Sequence, residues 1–275
     1  MNRAKPTIAS KAPWSSWDAW LSSPPGKYVL DWEQAQFDHI VSDIFGYHAL
    51  QIGLPQISTL QENRMPLQII LRAPHDKPAQ NEEPTYLWHA VDGLPEELPF
   101  ANQSLDLVVL PHVLEFAVDP HAVLREVERV LMPEGRVVIS GFNPASLWGL
   151  RQYFSHILAQ TPYLPREGQF IDLLRIKDWL KLLNFSVDRG RFGCYRLPLR
   201  SKSGMKKLGF LEKAGDRWWP VLGAVFMVSA VKRVSGMTLV GKIDAKPALA
   251  NNQLSPATNL TSPQQKIVQK AVHDS

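Results

Sequence analysis

The sequence has little of three features that would each point to a particular class of protein. Its 275 residues include one cysteine, Cys194, which excludes an internal disulfide and any multi-cysteine zinc or iron–sulfur site. Its longest apolar run, residues 220–231, is shorter than the ~18 residues that a membrane-spanning helix needs. No apolar stretch follows Arg3 and Lys5, so no signal peptide is predicted. These absences favour a soluble protein in the reducing cytoplasm.

The charges are unevenly distributed, although the formal net charge is only +4. Residues 189–233 are rich in lysine and arginine and contain two acidic residues, whereas residues 92–128 are rich in acidic residues and contain one arginine. Aromatic residues interleave with the basic ones, as in surfaces that stack on bases and contact phosphates. The basic segment therefore predicts either a solvated surface or contact with an anionic partner such as nucleic acid. Its aromatic residues are Phe192, Tyr195, Phe210, Trp218 and Trp219.

Composition divides the chain into four segments. Residues 1–13 are short of apolar side chains, and residues 242–275 carry polar residues without a hydrophobic period. Both ends are therefore predicted to be flexible. Residues 14–46 predict a helical N-terminal cap, and residues 47–234 predict the main domain.

The helical cap begins with a cluster of tryptophans. A short first helix places four apolar side chains on one face, which favours packing against a core or over a pocket. A break at Pro24-Pro25-Gly26 then precedes a second amphipathic helix over residues 28–46. The apolar face of the first helix consists of Trp14, Trp17, Trp20 and Leu21.

Five short apolar segments of the main domain are typical of strands that are covered on both faces. A helix is predicted between the last two, from Asp119-Pro120, an N-cap followed by proline, to Met132-Pro133. The order strand, helix, strand implies a right-handed crossover and a parallel sheet with helices on both sides, which is a doubly wound α/β fold. The five strands are predicted at residues 49–52, 67–71, 86–91, 105–110 and 136–140.

The C-terminal part of the domain predicts one more helix and two more strands. Residues 173–183 form an amphipathic pattern in which Leu174 is among the side chains expected to face inward. Residues 185–195 and 224–231 predict a pair of strands at one edge of the sheet.

The most informative stretch is residues 98–140, LPFANQSLDLVVLPHVLEFAVDPHAVLREVERVLMPEGRVVIS. It resembles the middle of class I S-adenosylmethionine-dependent methyltransferases of the type 11 group, which includes quinone- and biotin-pathway enzymes. The resemblance implies a Rossmann-like methyltransferase fold, with a mostly parallel seven-stranded sheet and an antiparallel edge pair. It also implies S-adenosyl-L-methionine as cofactor. The matching segments are Leu98-Pro99-Phe100, the strand beginning at Leu105-Asp106, His112-Val113-Leu114-Glu115 and Met132-Pro133-Glu134-Gly135.

The resemblance also implies where the cofactor would bind. The family's first motif is an acid followed by a glycine-rich turn into a helix, whose N-terminus accepts the cofactor's carboxylate. Here Gln51 stands in place of the acid and Gly53 in place of the first glycine, with Pro55 and Ile57 where two more glycines are expected. Arg72 stands where the family has an acid for the ribose. The implied cofactor-binding residues are Gln51, Gly53, Arg72, Asp92, Gly93, Leu110 and Pro111.

The acceptor site is implied at the ends of the fourth and fifth strands. His112 is a candidate catalytic or substrate-binding residue, or else only the first turn of a helix. Asn143, Trp148 and Arg151 are candidate substrate contacts, although Asn143 could instead cap a helix whose next residues belong to the core. No metal site is expected, because the spacing of His112 from nearby Glu and His residues fits no common ligand helix.

These features predict an S-adenosylmethionine-dependent methyltransferase that acts on an unidentified acceptor, with a small molecule favoured. The absence of an obvious catalytic dyad does not exclude this activity, because the sulfonium donor is already activated and the protein mainly positions the reactants. Two alternatives stay open. The basic aromatic segment favours an RNA methyltransferase, and the altered first motif favours a catalytically silent scaffold that binds a partner protein or a different ligand.

Overall fold

The computed structural model describes residues 14–72, 89–157, 164, 168–197 and 210–233. All of them lie within one compact unit, residues 1–235. The predicted flexible ends, residues 1–13 and 242–275, and the first part of the strand predicted at residues 86–91 lie outside the described residues.

Two helices precede the sheet: α1 (Trp14–Leu21) and α2 (Pro24–Val41). The predicted bounds of the second helix, residues 28–46, are wrong: the break lies at residues 22–23, the prolines form the first turn of α2, and the helix ends at Val41. Ser23 is the N-cap, and its side chain accepts a hydrogen bond from the amide of Gly26. Proline suits this position because the first turn of a helix leaves its N–H groups unpaired. A Cβ on Gly26 would lie 2.3 Å from the carbonyl oxygen of Trp20, so glycine allows the two helices to meet closely.

The predicted fold is confirmed: seven strands form one sheet in the order β3-β2-β1-β4-β5-β7-β6. Strands β1 to β5 pair in parallel, and β7 pairs antiparallel with both β5 and β6. The strands are β1 (His48–Ile52), β2 (Leu67–Arg72), β3 (His89–Asp92), β4 (Leu105–Pro111), β5 (Leu131–Phe142), β6 (Phe185–Gly193) and β7 (Val225–Lys232).

The strand order reverses between β1 and β4, which lie side by side at the centre of the sheet. From β1 the chain proceeds outward through β2 to β3, and from β4 it proceeds outward to β5 on the other side. Open parallel sheets bind their ligands in the crevice at the carboxyl ends of the strands at such a switch point. The ends of β1 and β4, together with those of β2, β3 and β5, therefore define where a site is expected.

Helices cover both faces of the sheet. One core packs α2 and the β1–β2 connection against the sheet, and the other packs the helices that follow β4 and precede β6. Alternate residues of β1 divide between them, with Ala49 in the first core and Leu50 in the second. The remaining described helices are α3 (Val113–Phe116), α4 (Pro120–Val130), α5 (Leu147–Ile157), α6 (Leu173–Leu182) and α7 (Phe210–Trp218), followed by a 3-10 turn (Pro220–Leu222).

Two details of the helices differ from the prediction. Helix α4 ends at Val130 and not at Met132-Pro133, because Leu131 is already extended and pairs with Leu105 of β4. Leu174 on α6 is 67% exposed and does not face inward, whereas Leu173, Ile176 and Leu180 are buried. Among the described helices, none combines the length and apolar character needed to cross a membrane.

Candidate active site

A buried Glu–His–Glu cluster lies at the carboxyl end of β4. His112 follows the strand directly, Glu115 lies on α3, and Glu33 reaches the same place from α2. The imidazole Nδ1 of His112 lies 2.7 Å from Glu115 Oε2, and its Nε2 lies 3.0 Å from Glu33 Oε1. The other oxygen of Glu115 accepts a hydrogen bond from the backbone N–H of Phe142 at the end of β5. The cluster therefore joins α2 to the ends of the adjacent strands β4 and β5.

Aromatic side chains enclose the cluster. The indole of Trp17 on α1 meets the His112 ring edge-on at 5.2 Å, and the Phe142 ring lies 4.5 Å from it on another side. Trp20 stacks on Trp17 with ring centroids 5.3 Å apart. The imidazole, the Glu33 carboxylate and the Trp17 indole are fully buried. The sequence predicts that the tryptophan helix lies over a core or a pocket. In the structure, α1 lies beside His112.

The backbone of His112 has the left-handed conformation, with φ 55° and ψ 13°. Residues other than glycine seldom adopt this backbone region, although asparagine, aspartate and histidine adopt it more often than the others do. Strain of this kind persists where the surroundings fix it, and it is common at functional sites.

The two carboxylates set the charge of His112. Burial lowers the pKa of the imidazole, but Glu33 and Glu115 more than offset burial and raise this pKa to about 10. Burial also raises the pKa of Glu115, against the opposing effect of the imidazolium. His112 is therefore protonated at neutral pH.

This pairing predicts a pH-dependent stability. The folded pKa of His112 exceeds its ordinary value of 6.5, so its stabilising contribution is complete below about pH 6.5 and is lost as the pH rises towards about 10. The raised pKa of Glu115 acts in the same direction. We expect the free energy of unfolding to fall by on the order of 3 kcal/mol between pH 6.5 and 9, measured by urea denaturation.

The control for that series is the triple variant Glu33→Gln, His112→Asn, Glu115→Gln, because it removes the imidazole and both carboxylates and because asparagine also tolerates the left-handed backbone. Its stability should change little between pH 6.5 and 9. Measurements stop at pH 9 because burial also raises the pKa of the Cys194 thiol, whose ordinary value is 9.0. Equal slopes for the wild type and the variant would contradict the assignment of the pH effect to His112.

The connection after β1 differs from a glycine-rich cofactor loop. Residues 53–66 contain turns and bends and no helix. The side-chain amide of Gln51 is fully buried, and its Nε2 lies within hydrogen-bond distance of the carbonyl oxygens of Gly53, Leu54 and Ile57. Its Oε1 accepts hydrogen bonds from the backbone N–H and the hydroxyl of Thr59. Gln51 therefore organises this loop from inside.

The rest of the loop packs against the sheet. Leu54, Ile57 and Leu60 are buried in the core on the α2 side, where a helix would otherwise cover the sheet. Gly53 and Leu54 both have positive φ angles, 69° and 46°. The loop presents no helix N-terminus, so its residues do not fit the carboxylate of S-adenosylmethionine in the way the family motif implies.

The ends of β2 and β3 present an ion pair. Arg72 and Asp92 are register partners on these adjacent parallel strands, and Arg72 Nη2 lies 3.2 Å from Asp92 Oδ1. The side chain of Asp92 is 62% exposed, so its carboxylate can also accept hydrogen bonds from a ligand. This carboxylate fits the nucleoside half of the cofactor, whose hydroxyl groups need acceptors. Arg72 fixes its position.

The remaining residues predicted to bind the cofactor lie at the same edge of the sheet. Gly93 directly follows β3, and a Cβ there would come within 3.0 Å of Leu71 and 3.2 Å of Pro99. Leu110 and Pro111 end β4 and are buried. The structure thus brings the predicted cofactor residues to the ends of β1, β2, β3 and β4, and their role in binding stays a prediction.

Three residues predicted to contact substrate lie after β5. The amide of Asn143 donates hydrogen bonds to the carbonyl oxygens of Val221 and Gly223, at 2.7 and 3.0 Å. The buried indole of Trp148 donates to the carbonyl of Arg196 at 2.7 Å. These bonds give both residues a structural role in holding the segments beside β6 and β7. Arg151 lies half-buried on α5. A contact of these residues with substrate stays a prediction.

The aromatic residues of the basic segment do not share one environment. Trp218 and Trp219 are 70% and 55% exposed, whereas Tyr195 is buried and donates a hydrogen bond to the carbonyl of Pro220. Phe192 is partly buried against the core. The side chain of Phe210 lies outside the described residues.

Glu33 is the residue of the cluster that the sequence did not suggest. It occupies a position on α2 between Val29 and Phe37, four residues from each, and all three are buried. An acid within an apolar stripe at helical spacing is a signal that could have identified it, because a buried carboxylate needs a partner. Within the described ranges, no group of three or more His, Cys, Asp or Glu residues is arranged to hold a metal ion.

The strand order and the site at the switch point define a class I methyltransferase fold, and comparisons with known proteins agree. Residues 72–139 match the family model described as "Methyltransferase domain". The S-adenosylmethionine-dependent methyltransferase of Thermotoga maritima superimposes with a TM-score of 0.51 at 13% identity, covering 79% of this chain and 95% of the other. This likeness concerns the fold.

Two curated proteins are similar in sequence. The chain is 33% identical to the Escherichia coli uncharacterized protein YafS over 224 residues, which cover 81% of this chain and 83% of YafS. It is also 36% identical over 92 residues to the malonyl-[acyl-carrier protein] O-methyltransferase of Laribacter hongkongensis, covering 34% of this chain and 30% of that protein. The chain therefore belongs to the family of YafS, and it has the class I methyltransferase fold with a match to the type 11 methyltransferase domain over residues 72–139.

Proposed function

We propose that this protein transfers a methyl group from S-adenosylmethionine to a small-molecule acceptor. The observation that carries the proposal is the juxtaposition of two features at the carboxyl edge of the sheet. The exposed Asp92 carboxylate, fixed by Arg72, ends β3, and the buried His112 cluster follows β4. Between them lies the switch point at which open parallel sheets bind ligands.

In this proposal Asp92 accepts hydrogen bonds from the nucleoside of the cofactor, and Gly93 lets the chain turn beside it. Arg72 is a positioning residue, because its guanidinium already pairs with Asp92. Gln51 is also a positioning residue, because its amide is engaged within the loop. Leu110 and Pro111 supply apolar surface at the end of β4.

The cofactor, when bound, supplies an activated methyl group, so the protein is required to align the acceptor and to exclude water. The surroundings of His112 support the second task, since aromatic rings from α1 and β5 enclose the imidazole. Full burial of His112 and Glu33 also favours a small acceptor over a folded nucleic acid, because only a narrow group can reach these side chains.

A second candidate function is a catalytically silent scaffold with the methyltransferase fold. The observation that favours it is the closed β1–β2 connection, in which Gln51 binds the loop carbonyls and Ile57 is buried. A protein that has lost cofactor binding would retain the sheet and could still bind a partner or a different ligand.

Isothermal titration calorimetry with S-adenosylmethionine and S-adenosylhomocysteine separates these two functions. We expect both ligands to bind the wild type, and Asp92→Ala to weaken binding about tenfold or more, since hydrogen bonds to a charged group are lost. Glu97→Ala is the matched control, because Glu97 is a nearby exposed acid outside the proposed site. If no heat is detected with about 1 mM ligand, the binding free energy is weaker than about −4 kcal/mol, and this result would favour the scaffold.

A further inference from the structure

An apolar surface is exposed where α7 ends. Trp218 and Trp219 are the largest side chains there, and Val221 and Leu222 of the 3-10 turn that follows are 60% and 43% exposed. Large apolar side chains that are exposed together, and not singly, mark a surface that binds a partner. These four residues are called the tryptophan turn below.

A second apolar surface lies on α5, beside the tryptophan turn. Leu147, Leu150 and Phe154 are each about half exposed, and their spacing of three and four residues places them on one face of the helix. Asn143, which precedes α5, donates a hydrogen bond to the carbonyl oxygen of Val221 at 2.7 Å. This bond holds the start of α5 next to the tryptophan turn, so the two surfaces lie side by side.

Both surfaces lie at the carboxyl edge of the sheet. Helix α5 follows the end of β5. The tryptophan turn precedes β7, whose first residue, Val225, pairs with Phe142 at the end of β5 and with Gly193 at the end of β6. A partner that covers these surfaces would therefore lie at the same edge of the sheet as the His112 cluster.

The sequence around the tryptophan turn is basic. Arg217 is exposed directly before Trp218, whereas the carboxylate of Glu212 accepts a hydrogen bond from the hydroxyl of Tyr28 and is engaged with α2. Asp216 is the other acid of α7. The sequence that leads into α7, residues 197–209, has no acid and four basic residues, Arg200, Lys202, Lys206 and Lys207.

We propose that the tryptophan turn and the exposed face of α5 bind the surface of a lipid bilayer that contains anionic phospholipids. Tryptophan suits the boundary of a bilayer because its ring is largely apolar and its N–H can reach the polar headgroups. Aliphatic side chains beside it can enter the acyl region, and basic residues are attracted to anionic headgroups.

The aliphatic residues decide between a bilayer and a nucleic acid. Interfaces with nucleic acids are polar and strongly charged, whereas Val221, Leu222, Leu147 and Leu150 offer a nucleic acid no polar contact. The inference goes beyond the proposed function and does not rest on it, because binding to a bilayer requires neither the cofactor nor methyl transfer.

Cosedimentation of the full chain with lipid vesicles tests the proposal. The vesicles consist of phosphatidylcholine alone or of an equal mixture of phosphatidylcholine and phosphatidylglycerol. We expect the protein to bind the mixed vesicles about tenfold or more tightly than the neutral ones, and to lose affinity between about 0.05 and 0.5 M NaCl, because salt screens exposed charges. Equal binding to both kinds of vesicle, or no binding to the mixed vesicles at about 1 mM lipid, would overturn the proposal.

A variant with both Trp218→Ala and Trp219→Ala tests the surface itself. Its affinity for the mixed vesicles should fall about tenfold or more, because the apolar area that enters the bilayer is lost. Phe45→Ala is the matched control, because Phe45 is 73% exposed and lies before β1, at the opposite edge of the sheet. Its affinity should equal that of the wild type. If the tryptophan variant fails to fold, as judged by circular dichroism, Leu150→Gln on α5 decides, and unchanged binding by a folded variant refutes the assignment.

Two other partners would give different results. A dimer in light scattering that the tryptophan variant abolishes, without vesicle binding, would make this surface an interface between two copies of the chain. Retention on single-stranded RNA without vesicle binding would make it a nucleic-acid surface. Either result overturns the proposal. Calorimetry with S-adenosylmethionine is independent of these tests, so a failure of the transferase and a failure of the bilayer surface are distinguishable.

Discussion

Replacing His112 with asparagine is expected to destabilise the protein by about 3–5 kcal/mol at pH 7. The imidazolium is the ion-pair partner of both Glu33 and Glu115, so its removal leaves two buried carboxylates without compensation. Breaking a buried pair from one side is costly because the remaining charge is neither solvated nor neutralised. The measurement is the free energy of unfolding from urea denaturation, with circular dichroism to establish that the variant is folded.

The cause of this loss can be isolated by a rescue. Adding Glu33→Gln and Glu115→Gln to His112→Asn removes the uncompensated charges while preserving the volume of the cluster. The triple variant should therefore be more stable than His112→Asn alone. If His112→Asn costs less than about 1 kcal/mol, which is an ordinary value for a single substitution, the cluster is not an ion-paired unit.

The second large effect is expected from Gln51→Ala. The Gln51 amide interacts with three loop carbonyls and accepts two hydrogen bonds from Thr59, and all these groups lie in or next to the buried loop. Their loss should cost about 2–4 kcal/mol, because buried polar groups left unsatisfied carry a desolvation penalty. Thermal or urea unfolding measures the change. The exposed Gln61 provides the control, since Gln61→Ala should change stability by no more than about 0.5 kcal/mol.

Gln51→Glu tests whether the same loop can bind the cofactor. It restores the acid of the family motif, but a carboxylate cannot donate to the carbonyl oxygens of Gly53, Leu54 and Ile57. The variant should therefore lose stability without gaining affinity for S-adenosylmethionine. A gain in affinity would mean that the loop opens and binds the cofactor as the family motif does.

Much of the fold could be predicted because its strands and helices are encoded locally. Continuous apolar runs identify buried strands, and Asp119-Pro120 marks the start of α4, where the Asp119 side chain caps two backbone amides. The helix ends were harder to predict, since Leu131 leaves the helical pattern for a strand pair whose partner, Leu105, is distant in sequence. Leu174 shows the limit of periodicity, because an apolar residue at the margin of a stripe can remain exposed.

The candidate site was predicted only in part, because its contacts join distant segments. The position of His112 after β4 followed from the motif, and the pairing of Arg72 with Asp92 follows once β2 and β3 are placed side by side. The partnership of His112 with Glu33 depends on how α2 packs on the sheet, which no local pattern specifies. The role of Gln51 depends on the fold of an irregular loop, in which hydrogen bonds to one side chain replace a helix.

Hydrogen–deuterium exchange with and without S-adenosylmethionine tests most directly whether the carboxyl edge of the sheet binds the cofactor while the β1–β2 connection stays closed. We expect the ligand to increase amide protection at residues 91–93 and 110–115, at the ends of β3 and β4. Exchange at residues 53–57 should not change, because Gln51 already holds that loop. Protection at residues 53–57, or no ligand-dependent change at the ends of β3 and β4, would contradict this account.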